Sequence, residues 1–209
     1  MQHRAVIFDL GGVILGSPLH AIANFETRHG IPSGRINRVV VDSGRDGAWS
    51  RLERGEMPMR EFYAAFELDC EAAGVTLSAR VLMEEIGAAA QPRPTMIRAV
   101  ARIRNGGLGT AALTNNWIGE DDAGAFLKPH FDVFVESSVI GLRKPDPRIY
   151  QHTCEAIGVE PEEAIFLDDI GSNLKAARAL GMTTIKVDDP DEALGALGEL
   201  IGIALLGDA

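Results

Sequence analysis

Four short apolar runs, Ala5 to Phe8, Gly109 to Leu113, Ala164 to Leu167 and Thr183 to Val187, each end at polar residues. Runs this short and this apolar read as strands buried on both faces, the kind found in parallel sheets covered by helices. Segments with helical spacing lie between and after them, at Thr95 to Arg104, Pro147 to Ile157, Asn173 to Leu180 and Glu192 to Ile201, and a further strand is predicted at Val133 to Glu136. Strands alternating with helices predict an α/β fold with a Rossmann-like, doubly wound parallel sheet.

The rhythm breaks between about Ser17 and Gln91, where helix-like stretches such as Met59 to Ala73 and Ala79 to Ile86 occur without a convincing strand. We read this segment as an inserted α-helical cap, residues 17–91, in a core formed by residues 1–16 and 92–209. It leaves the chain just after the first strand. Open α/β sheets bind ligands at that end, so a cap there covers the site.

Polar residues follow the predicted strands directly: Asp9 after the first, Thr114 and Asn115 after a central one, Asp168 and Asp169 after another. All converge on one edge of the sheet. Carboxylates gathered around one point repel each other unless a cation neutralises them, and oxygen ligands of this type suit Mg2+. Lys144, in the run Gly141-Leu142-Arg143-Lys144-Pro145-Asp146-Pro147, comes from a turn stiffened by prolines and is placed to balance a phosphate's charge. The Thr114 hydroxyl and the amide after it form a donor pair suited to phosphoryl oxygens, leaving Asp9 free to attack phosphorus.

Phe8-Asp9-Leu10-Gly11-Gly12-Val13, Leu113-Thr114-Asn115-Asn116, Lys144-Pro145-Asp146-Pro147 and Phe166-Leu167-Asp168-Asp169 together resemble the four ordered motifs of the haloacid dehalogenase superfamily. The resemblance runs almost end to end. It points to the branch holding the N-terminal phosphatase domain of soluble epoxide hydrolase and the related domain fused to some acyl-CoA dehydrogenases. It implies a phosphoric monoester hydrolase with Asp9 as nucleophile and Mg2+ held by Asp9, the Gly11 carbonyl and Asp169. By the same matching Thr114 and Lys144 bind phosphate, while Asp168 and Asn173 form the supporting shell.

One position departs from the pattern. Phosphatases of this superfamily usually place a second aspartate two residues after the nucleophile, where it protonates the leaving group and later activates water; here Gly11 stands there. Glycine keeps the carbonyl and removes the proton carrier, and such acid–base catalysis contributes about 10²–10⁴-fold. Two other functions are therefore weighed. One is a phosphate- or metal-binding module with little turnover; the other is dehalogenation without metal, against which the pair Asp168-Asp169 argues.

Each residue also has a plainer role. Asp9 before Gly-Gly would cap a turn, Asp168-Asp169 would cap a helix, Lys144 would be a solvated charge, and Asn173 would bond within its own helix turn. Four motifs in order outweigh those readings. Gly107 to Ala112 mimics a dinucleotide fingerprint but precedes a strand, and is rejected. Asp42, Asp46, Gly47 and Glu53 have partial calcium-loop spacing, with Gly44 at an expected ligand position, and are assigned to chance. The five histidines show no metal-site spacing. Trp117 and Trp49 are candidates for lining a substrate pocket.

A net charge of −10 disfavours nucleic acid and anionic membrane, so the expected partner is a small-molecule phosphate ester. Cys70 and Cys154 form no disulfide framework or zinc spacing, which fits a reducing cytosol. No targeting signal is read at the N-terminus, and Leu194 to Leu206, broken by Glu199 and glycines, is expected to be a packed terminal helix. The expected location is cytoplasmic. Oligomeric state has no signature in the sequence.

Overall fold

A computed structural model describes residues 3–118 and 124–207. Its sheet has five strands, all parallel: β1 (Ala5–Phe8), β2 (Gly109–Thr114), β3 (Val133–Glu136), β4 (Ala164–Asp168) and β5 (Thr183–Lys186), in the order β3-β2-β1-β4-β5. Side chains alternate across a strand, and the apolar runs divide accordingly. Val6, Phe8, Ile165 and Leu167 enter one buried layer, and Ile7, Ala164 and Phe166 enter the other. Both faces of the central strands are therefore covered, as expected of runs with no polar residue.

The outer strands correct the expectation of burial. β5 is half-exposed with Lys186 in solvent, and three of the four residues of β3 are only partly buried. They form the two edges, each with a single neighbour, where fewer side chains crowd in.

Five helices come between β1 and β2 before the chain rejoins the sheet layers: α1 (Pro18–Arg28), α2 (Arg35–Asp42), α3 (Ala48–Glu53), α4 (Met59–Ala72) and α5 (Ala79–Ala89). They pack around their own apolar cluster, with Phe62 stacked on Phe66 and the Trp49 ring edge-on to both. Carboxylates from neighbouring helices accept from amides at three helix starts, of which α2 and α3 lack a capping side chain of their own and α5 has Ser78 as well. Glu26 accepts from the Gly34 and Ile36 amides at the head of α2, at 2.6 and 2.7 Å. Asp69 accepts from Ala48 of α3, and Glu67 from Ala79 of α5, both at 2.8 Å. Each such cap contributes about 1 kcal/mol.

The insertion enters and leaves at one place. Leu15 pairs antiparallel with Pro92, and Gly16 N–H donates to the Gln91 carbonyl at 3.0 Å. Arg93 continues the tie, its guanidinium donating to the carbonyls of Gly12 and Val13.

The core helices are α6 (Pro94–Asn105), α7 (Ser137–Ile140), α8 (Pro147–Ile157), α9 (Gly171–Ala179) and α10 (Pro190–Ile201). α8 begins where Asp146 accepts the Arg148 amide at 3.0 Å ahead of Pro147, and it ends on Gly158 in the left-handed region. α10 starts two residues earlier than expected because Asp189-Pro190 repeats that device. It stops at Gly202, so Leu194 to Leu206 is not one helix; Leu205 folds back into the core outside it. Among the described residues no helix is long and apolar enough to cross a membrane.

Candidate active site

The chain leaves β1 for β2 on one side and returns to β4 on the other, which makes the carboxyl end of β1 the switch point of the sheet. Phe8 is level with Ala112 and with Leu167. Asp9 and Asp168 are each the next residue, so the registers bring these two carboxylates side by side.

Lys144 lies between them. Its Nζ is 2.8 Å from Asp9 Oδ1 and 2.7 Å from Asp168 Oδ2, 5.5 Å from the centre of the Phe166 ring, and the residue is 1% exposed. Burial works against its charge, but Asp168 and Asp9 outweigh that and hold the ammonium above the ordinary lysine value. An ammonium has three N–H donors, and two carboxylates account for two of them. A third donor remains.

Burial pushes the Asp9 carboxyl well above the usual carboxylate range, Lys144 pulls it back, and Asp168 and Asp169 raise it further. Asp169 is also raised, first by burial and then by Asp168. Asp168 is held on both oxygens: Oδ1 accepts from the Ile170 amide at 2.7 Å and from Asn173 Nδ2 at 3.1 Å, and Oδ2 accepts from Lys144 and from Asn173 at 3.0 Å. The buried Tyr150 hydroxyl donates to the Asn173 carbonyl at 3.0 Å and fixes the start of α9. The Asn173 side chain therefore bonds to Asp168 and not within its own helix turn.

Carboxylate oxygens of Asp9, Asp168 and Asp169 lie within 4.8 Å of one another. Asp168 is saturated by its donors, so a cation falls to the other two. Both bonds of Asp9, from Lys144 and from the Leu10 amide, use Oδ1, and Ser17 Oγ donates to Oδ2 of Asp169 at 3.3 Å. Each carboxylate keeps a second oxygen. A hard divalent cation such as Mg2+ fits this all-oxygen set.

Gly12 allows the two loops to meet. It has φ +80°, and a Cβ there would sit 2.0 Å from Asp169 Oδ2. Gly11 is different: φ −65° and ψ 126° suit any residue, but a Cβ would meet Pro18 Cγ at 3.0 Å and Cδ at 3.1 Å. The proline that begins α1 occupies the space beside the missing acid.

Thr114 is buried at the end of β2, with its hydroxyl on the Asn115 carbonyl at 3.4 Å. Asn115 clasps the lysine's backbone: its Oδ1 accepts from Lys144 N–H at 2.8 Å and its Nδ2 donates to the Lys144 carbonyl at 3.1 Å. Asn116 anchors the same segment to α7 through Ser137 and Ser138. Trp49, 6% exposed with its indole N–H on Glu53, is part of the helical cluster and not a pocket wall. Trp117 packs on that cluster with its ring 6.3 Å from Trp49.

The structure therefore gathers Asp9, Asp168, Asp169, Lys144, Asn173 and, through Asn115, the end of β2. It adds residues that the sequence reading missed. Ser17 touches Asp169, and Glu53 and Arg143 bond across the insertion–core boundary. The only local signal for Arg143 is its place beside Lys144; Ser17 and Glu53 have none.

The five-stranded parallel sheet, with its helical insertion after the first strand, has the fold of solved haloacid dehalogenase-family enzymes. The chain belongs to the haloacid dehalogenase-like hydrolase family, whose family model matches residues 3–181. It is 40% identical over 213 residues to Acyl-CoA dehydrogenase family member 10 of Mus musculus, covering 98% of this chain and 20% of that protein. It is 35% identical over 224 residues to Bifunctional epoxide hydrolase 2 of Sus scrofa, covering 99% of this chain and 40% of that protein. The chain thus spans well under half the length of these two relatives. Phosphatase MT3486 of Mycobacterium tuberculosis is 31% identical over 207 residues, 90% of this chain and 88% of that protein. A HAD family enzyme of Bacteroides thetaiotaomicron, solved with magnesium and inorganic phosphate, shares the fold at TM-score 0.60 and 18% identity, covering 88% and 93% of the two chains.

Proposed function

We propose that the chain is a Mg2+-dependent phosphatase of a small phosphorylated molecule, working by phosphoryl transfer to Asp9. The observation that carries this is the clamp on Lys144, whose ammonium faces Asp9 with one donor to spare. The relative named a phosphatase along nearly its whole length supports the reading, as does the fold neighbour that holds magnesium and phosphate. Asp9, the Gly11 carbonyl and Asp169 would hold Mg2+, which supplies positive charge against the incoming phosphoryl group. Lys144 adds to that charge, and Thr114 with Asn115 orients the phosphoryl oxygens.

In the first step Asp9 Oδ attacks phosphorus while the bond to the leaving oxygen breaks, and the leaving group departs with the electron pair. In the second, water attacks phosphorus, the bond to Asp9 breaks and inorganic phosphate is released. Helices α1 to α5, the proposed cap over residues 17–91, shield both steps from bulk water and select the substrate. Pro18 against Gly11 gives a specific reason to keep the weak-turnover, binding-module reading as second, since no carboxyl group stands there to protonate the leaving oxygen.

Aryl and acyl phosphates, which leave without a proton, are expected to react much faster than simple alkyl phosphates. A leaving-group series measures this, and a rate indifferent to leaving-group pKa would count against it. Rapid quench and mass spectrometry should find phosphate on Asp9 and none in Asp9→Asn; persistent absence of label with a reactive substrate removes the covalent step.

Mg2+ binding has a predictable sign with pH. Asp9 and Asp169 have raised pKa values in the metal-free fold, so protons compete with the cation as pH falls. Raised carboxylate pKa values also mean that the metal-free protein loses stability as pH rises through them, because the folded state binds the extra protons. The gain in Tm on adding Mg2+ should therefore grow between about pH 5 and about pH 8. Differential scanning fluorimetry tests it, and a gain that shrinks over that range would exclude these carboxylates as the ligands.

A further inference from the structure

Glu53, the last residue of α3, is 7% exposed and makes bonds that the fold of the insertion does not require. Its Oε1 accepts the Trp49 indole N–H at 3.0 Å, a contact within its own helix. Its Oε2 accepts instead from two core residues, Asn115 Nδ2 at 3.3 Å and Arg143 Nε. Arg143 also reaches Ser50 Oγ of α3 at 3.3 Å. These partners are not arbitrary. Asn115 directly follows Thr114, Arg143 directly precedes Lys144, and Asn115 holds the Lys144 backbone by both its N–H and its carbonyl.

The contact is also close in its backbone. At Gly55, just past α3, a Cβ would lie 2.2 Å from the Ser138 carbonyl of α7, and α7 is itself tied to Asn116. The end of α3 therefore abuts α7, the helix that is tied to Asn116 beside Thr114 and Asn115. A buried carboxylate accepting from an amide and a guanidinium fixes both in direction as well as distance.

We propose that Glu53 is a positioning residue that couples the seating of the helical insertion to the phosphate-binding groups. With the insertion seated, Glu53 orients Asn115 and Arg143, and through them the backbone that aims the Lys144 ammonium at Asp9. The inference rests on the phosphatase reading above and adds a residue outside the four motifs.

The test compares wild type, E53Q, E53A, N115A and the E53A/N115A double variant, with Mg2+ and p-nitrophenyl phosphate as probe. E53A should lower kcat about tenfold while KM moves less than about twofold, the pattern of a misaligned catalytic group. E53Q, which still accepts from Asn115 but has no charge for Arg143, should fall between. Because Glu53 acts partly through Asn115, E53A should cost clearly less in the N115A background than in wild type. In the absence of substrate, hydrogen exchange in residues 141–146 should be faster in E53A than in wild type.

A lowered Tm with unchanged kcat and unchanged exchange in that segment would show that Glu53 only stabilises the helices, as would losses that multiply in the double variant. Should E53A fail to fold, E53Q carries the same comparison. If wild type neither turns over the ester nor binds inorganic phosphate by calorimetry, the phosphatase reading falls. The exchange measurement then still decides whether Glu53 holds the lysine's loop.

Discussion

Lys144→Met is expected to lower the free energy of unfolding at neutral pH by roughly 3–5 kcal/mol and to abolish phosphoryl transfer. Methionine has nearly the same reach as lysine without the charge, so the substitution isolates the ammonium. Asp9 is 6% exposed and Asp168 is fully buried, and Lys144 bonds to both. Without it two adjacent buried carboxylates face each other, and removing one member of a buried ion pair costs more than the pair contributes.

The deficit should narrow as pH falls, since protonation of one carboxylate relieves the repulsion. It should also narrow in Lys144→Met/Asp168→Asn, which restores stability but not activity. Chemical denaturation at two pH values provides the measurement. A Lys144→Met protein as stable as wild type at neutral pH would mean that the ammonium is not the charge partner of this pair.

The second large effect runs the other way. Gly11→Asp should raise turnover of alkyl phosphates by about 10²-fold or more, within the range of general acid–base catalysis. The backbone at Gly11 already suits a residue with a side chain, so no strain opposes the change. Space does: the new Cβ would meet Pro18 at 3.0 and 3.1 Å, and the ring must yield by a few tenths of an ångström. Gly11→Asp/Pro18→Ala clears the position and should give the larger gain.

Aryl phosphates should benefit much less, and phosphate on Asp9 should drain faster because water is now activated. Steady-state rates across the leaving-group series, with rapid quench, check both points. If the double variant leaves alkyl phosphate turnover unchanged, the missing carboxyl group is not what limits the reaction.

Much of the fold was legible because its signals are local. β1 and β4 are apolar runs with no room for a solvent face, and Asp146-Pro147 marks the start of α8 by a device that acts over two residues. The same device at Asp189-Pro190 starts α10 two residues ahead of the helical spacing that begins at Glu192. Edge exposure of β3 and β5 depends on strand order, which no single strand reveals.

The clustering of Asp9, Lys144 and the Asp168-Asp169 pair is legible because each lies at a strand end or in a stiff turn in a recurring order. Glu53, Ser17 and the Pro18 contact with Gly11 are not, because they join residues far apart in the chain or depend on the path of a turn. Trp49 shows the opposite limit. Its composition suits a pocket wall, but Phe62, Phe66 and Glu53 hold it inside the helical cluster.

The hydrogen bond between Gly16 and Gln91 makes the helical insertion exchangeable, since its entrance and exit are already joined. Closing a chain across that gap costs an entropy that grows only with the logarithm of its length, so covers of very different size could be grafted there at similar expense. Such a transplant would keep the parallel sheet and its lysine intact while changing which molecules are admitted. It would work at full rate only if the new cover brought its own acceptor for Asn115 and Arg143.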